Sequence, residues 1–454
     1  MSSTGRGPFE RYEPEQIVVE MKHYEVVKEL LRNSGLTLAK HSKIPELSLM
    51  LLTVDGLDKA DLGGRLRPPA PIEKSGARQH EEYYKELHED LQTRRDKLKL
   101  PGSPSNLDIL LEHLRRTAHV LYAGWTPTVG KNRDTEAIEG LPHWGGGDGR
   151  PERSDFTINL RPNTPGRAFR VGVLDSMLYP NPLLNGRYVS GDVLDIKETY
   201  RAWEGHAAFI AGRILKRAPG ADLDVRAVLG KNGRSSSWEV ARQMASFLGS
   251  GVDVINLSLG CPTADGEPPL LLQRAADVLA GETILVAAAG NHGAQEPLDL
   301  DDSTNAPEIL ATVPRRRESP MWPAALPNVV AVGATDSSEF GSQAGLASFT
   351  PRVPWLDLLA PGVNVPSTFI QGGVEIVVVE LEGGRLVERA PELIGTFDGA
   401  ATWSGTSVAA ADVTGAIVAL AAEKGWTARE ALRALLHPDC AGHSPQLPDD
   451  IRPA

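Results

Sequence analysis

The chain has 454 residues, 41% apolar and 23% charged, enough for a sizeable buried core and two or three ordinary domains, which excludes a disordered or fibrous chain. Its 47 Lys and Arg against 59 Asp and Glu leave a net charge of -12, which disfavours phosphate backbones and anionic membranes, so no nucleic-acid or membrane partner is expected. Two cysteines, Cys261 and Cys440, the lack of an apolar export core in Met1 to Tyr12 and the lack of a membrane-length window predict a soluble cytoplasmic protein without a metal cluster.

Ile17 to Glu20 is a β-branched run, and Val26, Val27, Leu30 and Leu31 follow at helical spacing up to Asn33, Ser34 and Gly35. Leu47 to Val54 is a second apolar run able to pair beside the first, so the chain is predicted to open with a small α+β unit. Gln79 to Leu100 carries dense mixed charge, with Tyr84, Leu87, Leu91 and Leu98 on one face and Glu81 four residues before Lys85. That spacing predicts an amphipathic helix with a solvated back. Pro101, Gly102 and Pro104 break it, and Leu107, Leu110, Leu111 and Leu114 mark a second helix that folds back on the first. Residues 121–166, rich in Gly, Pro, Asn and Arg, show no period and predict a linker or an extended wrap.

After Phe169 the texture becomes regular. Phe169 to Leu174, Asp224 to Leu229, Val252 to Leu257, Ile284 to Ala289 and Val329 to Val332 read as buried strands. Helix-period stretches such as Trp238 to Phe247 and Leu270 to Leu279 separate them, which predicts a parallel α/β sheet covered on both faces. Val374 to Glu388 reads as a hairpin turning at Glu382, Gly383 and Gly384. Thr427 to Glu430 forms a capping box ahead of Ala431, Leu432, Leu435 and Leu436. The expected organisation is an N-terminal α+β and helical region over 1–120, a linker over 121–166, the α/β domain over 167–437 and a loose tail over 438–454.

Four polar residues stand at predicted edges of this sheet, where open parallel sheets collect their chemistry. Asp175 ends Val171-Gly172-Val173-Leu174, and His206 opens the small-residue helix of Ala207, Ala208, Ile210 and Ala211. Asn291 ends Ile284 to Gly290, and Ser407 follows the tight turn Ser404-Gly405-Thr406 at the head of another helix. A serine hydroxyl is a poor nucleophile at neutral pH and needs a base such as His206, whose tautomer and developing charge Asp175 would hold. The oxyanion that forms needs donors already in place, which the Asn291 amide and the Ser407 backbone N–H supply at the positive end of a helix.

With this order of Asp, His, Asn and Ser, the chain resembles the subtilisin-like serine peptidases, or subtilases, over about residues 167–437. Val225 to Gly230 with Trp238, Val252 to Gly260, Trp322-Pro323-Ala324, Asn328 to Asp336, Ala347-Ser348-Phe349 and Leu359 to Val363 match further segments in the family's order. The resemblance implies a three-layer α/β fold with a mainly parallel central sheet and helices on both faces. It implies Asp175, His206 and Ser407 as the triad, Asn291 as the oxyanion donor, and Ser258, Leu259 and Gly260 as a wall receiving an extended polypeptide. Exposed backbone of that kind accepts a peptide as an added strand.

Met177 stands where the family has Gly, Ala207-Ala208 where it has Gly-Thr, and Ala411 where it has Pro, departures that bear on efficiency and substrate shape. The short passage from Ile214 to the next strand leaves no room for the calcium loop of many relatives, so no cofactor or firmly held metal is expected. Asp299, Asp301 and Asp302 are candidates for a weak cation or for a basic substrate side chain, and His292 and Cys261 are expected to serve packing. The predicted activity is that of a serine endopeptidase; an acyl-transfer enzyme joining or closing peptides and an inactive peptide-binding scaffold are the alternatives. Residues 1–120 are expected to be a pro-segment or a regulatory region, tethered by the linker over 121–166.

Overall fold

A computed structural model describes residues 12–69, 77–98, 100, 102–138, 150–157, 168–184, 186–263, 265–293, 318–336, 345–376, 379–382, 385–388, 390–437 and 450–453. In the N-terminal region, β1 (Tyr12–Glu20), α1 (Tyr24–Asn33), β2 (Leu38–Ile44) and β3 (Leu49–Val54) precede the helical hairpin of α2 (Ala77–Lys97) and α3 (Asn106–Leu121). A capping box starts α3: the Ser105 hydroxyl accepts from the Asp108 N–H, and the Asp108 carboxylate accepts from the Ser105 N–H. Arg116 of α3 pairs with Glu86 and Asp90 of α2, which ties the hairpin along its charged sides.

The segment expected as a linker contains β4 (Val129–Ala137), which pairs antiparallel with β1 through Ile17↔Lys131 and Val19↔Val129. Its sequence, VGKNRDTEA, carries little apolar periodicity because backbone pairing and polar side chains hold it: Asn132 Oδ1 accepts from the Ser237 hydroxyl and the Trp238 N–H, and Lys131 pairs with Asp108. The α+β unit therefore continues to Ala137 and does not stop near residue 120.

In the second half, eight strands form a sheet in the order Arg452–Pro453, Leu358–Pro361, Val330–Thr335, Ile284–Ala288, Val254–Leu257, Arg170–Asp175, Asp222–Ala227 and Tyr188–Val189. The first pair is antiparallel and the rest are parallel. Alternate side chains enter opposite cores. Val171, Val173, Val254, Val286 and Val332 join one core, which includes residues of α4 (His206–Arg217). Leu174, Ile255, Leu257, Leu285 and Ala287 join the other, with α5 (Ser237–Ala245) and α6 (Leu270–Leu279). The helices α7 (Thr406–Lys424) and α8 (Ala428–Leu436) complete the first face.

Two further expectations need correction. By length and composition α7 is apolar enough to cross a membrane, although no such window was expected; it is a buried core helix packed against both α4 and the sheet. The last residues are not loose throughout, because Arg452 and Pro453 add a strand beside Leu358 and Leu359 and Ile451 is buried. The hairpin expected at Val374 to Glu388 belongs to a longer antiparallel pair, Val365–Ile376 with Glu392–Trp403, capped by Val379–Glu382 paired with Arg385–Glu388.

The N-terminal sheet lies on α5 and α6. Val18, Ile44, Leu47 and Leu49 share one apolar cluster with Val240, Ala241, Met244, Leu271 and Ala275, and Arg274 of α6 donates to the Leu47 carbonyl at 3.3 Å.

Candidate active site

Asp175 ends its strand fully buried, and His206 opens α4. The His206 Nδ1 lies 2.8 and 2.9 Å from the two Asp175 carboxylate oxygens. A carboxylate only accepts, so Nδ1 carries the proton and Nε2 is left as the basic nitrogen. Asp175 Oδ1 also accepts from the Ser176 N–H at 2.7 Å, and the Ala207 N–H donates to Ser176 Oγ. These bonds lock the end of the strand to the start of the helix. The indoles of Trp203 and Trp403 flank the imidazole at 5.2 and 5.4 Å between ring centres.

Asn291 is oriented from behind. Its Oδ1 accepts from the Thr406 N–H at 2.9 Å and the Thr406 hydroxyl at 3.0 Å. The Thr406 hydroxyl in turn accepts from the Gly290 N–H at 3.1 Å. With its oxygen held, the amide can turn only its Nδ2 toward the cleft, beside the first turn of α7, where Ser407 stands. Gly290 has φ +105°, and a β-carbon there would fall 2.6 Å from the His292 ring, so the turn into Asn291 requires glycine.

Ser407 Oγ is buried and has no hydrogen-bond partner among the described residues. The structure thus closes the Asp175–His206 pair and leaves the His206–Ser407 hydrogen bond unmade, as often happens before a substrate is engaged. The Ser407 carbonyl accepts from the Ser258 hydroxyl at 3.3 Å, which accepts from Asn256 at 2.8 Å. Asn256 accepts from Thr414 of α7 at 3.1 Å. A buried polar chain therefore joins the expected substrate wall to the helix of Ser407.

That wall is occupied. Leu259 and Gly260 pair antiparallel with Ala137 and Glu136 of β4, whose other edge pairs with Arg234–Ser236 through Glu136↔Arg234 and Thr135↔Ser235. Next to Ala137, the Ile138 carbonyl accepts from Asn291 Nδ2 at 3.1 Å. The expected oxyanion donor thus already holds a peptide carbonyl of the same chain.

Residues 166–442 match the family model described as the subtilase family. The chain belongs to the subtilase family. It is a subtilisin-like serine endopeptidase with the α/β fold of that family. This subtilase is similar to Subtilisin BL of Lederbergia lenta, 32% identical over 214 residues that make up 45% of this chain and 67% of that protein. It is also similar to a protein named Intracellular serine protease of Paenibacillus polymyxa, 27% identical over 269 residues, 56% of this chain and 67% of that one. The solved structure of fervidolysin from Fervidobacterium pennivorans, described as a keratinolytic enzyme related to subtilisin, shares the fold with a TM-score of 0.50 at 15% identity, over 95% of this chain and 60% of that one.

The other residues singled out from the sequence have definite places. Met177 is partly exposed beside Ser176, while Ala207, Ala208 and Ala411 are buried. The buried His292 ring bonds the Ser319 carbonyl through Nε2 at 3.0 Å, and burial lowers its pKa to about 4. Cys261 is buried in the strand beside Trp322. Asp299, Asp301, Asp302 and Cys440 lie outside the described residues. Sequence reasoning missed Ile138, Trp203, Trp403 and the Asn256–Thr414 pair. Trp403, four residues before Ser407, was the one local signal; the others depend on packing between distant segments.

Proposed function

We propose that this subtilase cleaves extended polypeptides with Ser407 as nucleophile, His206 as general base, Asp175 as its anchor and Asn291 as oxyanion donor. We propose also that residues 12–138 hold it inactive until the Ile138–Glu139 bond is cut. One observation carries the reading: Asn291 Nδ2 donates to the Ile138 carbonyl while β4 lies as a strand along Leu259 and Gly260. A segment held in that way is a substrate in register.

In the reaction, Ser407 Oγ attacks the Ile138 carbonyl carbon and its proton passes to His206 Nε2. The carbonyl oxygen takes the negative charge and accepts hydrogen bonds from Asn291 Nδ2 and the Ser407 N–H at the positive end of α7. Collapse breaks the C–N bond, and His206 returns the proton to the Glu139 amine as it leaves. Water, deprotonated by His206, then releases Ile138 from the ester. The freed segment keeps its sheet pairing and its contacts on α5 and α6, which supports product inhibition by the segment before other peptides gain entry.

The Ser407→Ala chain is expected to stay intact, whereas the wild-type chain is expected to yield a fragment ending at Ile138 by mass spectrometry. Labelling by a fluorophosphonate should follow that cut and should require Ser407. A wild-type chain that takes up the label while remaining full length would defeat the inhibitory reading and leave the triad standing. A cytoplasmic location is part of the proposal, supported by the two-cysteine composition and by likeness to a protein named Intracellular serine protease.

A further inference from the structure

Ile138 shares its pocket with a second side chain. A β-carbon added to Gly260 would fall 2.7 Å from Ile138 Cδ1 and 2.2 Å from Met321 Sδ. The last carbon of Ile138 and the Met321 thioether therefore rest side by side over the bare face of one glycine. Both residues are buried, at 3% and 0% exposure. Met321 also reaches Gly290, where an added β-carbon would meet its Cε at 3.3 Å. Its side chain thus crosses from the substrate wall to the strand end that carries Asn291. The pairings Pro262↔Met321 and Cys261↔Trp322 set it there.

On the reading that Ile138 supplies the attacked carbonyl, we propose that Met321 is the floor of the primary specificity pocket and restricts it to aliphatic side chains the size of valine, leucine or isoleucine. Isoleucine already brings its outermost carbon alongside the sulfur. A phenyl ring extends further and would have to displace a buried methionine pinned against Gly260 and Gly290. A lysine would bury an ammonium against Gly260, Gly290 and Met321, which offer no charge to pair with it, and an unpaired buried charge is costly. The preceding position is narrow as well. A β-carbon at Gly233 would lie 3.3 Å from the Trp203 ring and 3.5 Å from Ala137 Cβ, and Ala137 is fully buried. The recognised signature is a small residue followed by a medium aliphatic one.

The full-length chain supplies its own test substrate. Ile138→Phe is expected to slow cleavage after position 138 by at least about 10-fold, the range for a misfit of one or a few carbons in an apolar pocket, whereas Ile138→Val stays close to wild type. Adding Met321→Gly to Ile138→Phe is expected to restore the cut. The mature enzyme, assayed on p-nitroanilides of Thr-Glu-Ala-X, is expected to favour X as Ile, Leu or Val over Phe and Lys by about 10-fold or more in kcat/KM, with Met321→Gly and Met321→Ala shifting the preference toward Phe. Ile138→Phe cut as fast as wild type, or a Phe-to-Ile ratio that neither Met321 variant moves, would overturn the pocket. The parent reading fails separately: an enzyme that shows the aliphatic preference on anilides yet never cuts after Ile138 loses the placement of Ile138 and keeps Met321 as the floor.

Discussion

Arg213 and Asp412 meet in a two-point ion pair, Nε to Oδ1 at 2.9 Å and Nη2 to Oδ2 at 2.7 Å. The carboxylate is fully buried, and Arg217 adds a further contact to it at 2.9 Å. The pair joins α4, which begins with His206, to α7, which presents Ser407. It sits two turns into one helix and little more than one turn into the other, so it fixes how the two reacting groups face each other.

Removing the carboxylate leaves the buried Arg213 without its ion-pair partner, while Arg217 keeps its pairing with Asp450. Asp412→Ala is expected to lose about 3–5 kcal/mol of stability, read from denaturant unfolding of the Ser407→Ala background so that self-cleavage does not interfere. An unchanged midpoint would mean that the pair is solvated and contributes little.

On the proposed mechanism Asn291 donates to the oxygen that becomes anionic, so its truncation acts on the transition state more than on the bound substrate. Asn291→Ala is expected to lower kcat by roughly 100- to 1,000-fold, a figure taken from subtilisin itself, with little change in KM. A loss confined to KM would assign the amide to ground-state binding.

Gly290→Ala would place a methyl group 2.6 Å from the His292 ring at a φ of +105°. The strain of a non-glycine residue in this region is about 1–3 kcal/mol, and it falls on the turn that aims Asn291. Activity is expected to drop together with thermal stability. A fully active, equally stable variant would show that the turn relaxes freely.

His113 in α3 bonds Ser34 at 3.2 Å and Tyr83 at 3.1 Å, and burial lowers its pKa to about 4. As pH falls below the ordinary imidazole value of about 6.5, the unfolded region takes up the proton first. Stability is therefore intact above that value and declines toward pH 4, by roughly 3 kcal/mol at most. Protection factors at α1 and α3, corrected for the slower intrinsic exchange at low pH, are expected to fall between pH 6.5 and 4, and less so in His113→Asn. An equal fall in both proteins would assign the acid lability to other groups.

Residue type and short-range periodicity were enough to anticipate the parallel strands from Arg170 onward, the helices over Leu270–Leu279 and Ala428–Leu436, and the four polar residues at strand and helix ends. Each of these is a local property, because apolar spacing reports which face is buried and a capping pair reports where a helix starts. Asp175, His206 and Ser407 were legible as candidates for the same reason: the first ends a strand of the sheet, and the other two stand in the first turns of helices packed on it. The unmade His206–Ser407 bond was not, since it depends on rotamers and on what fills the cleft.

The path of β4, the lodging of the Ile138 carbonyl against Asn291, the Met321 floor and the Arg213–Asp412 pair had no reading in the linear chain. Residues as polar as those of β4 carry no pattern, and backbone hydrogen bonding accepts almost any side chain. The choice of partner strand and register is therefore made by the surfaces that α5, α6 and the wall at Leu259–Gly260 present once they are assembled.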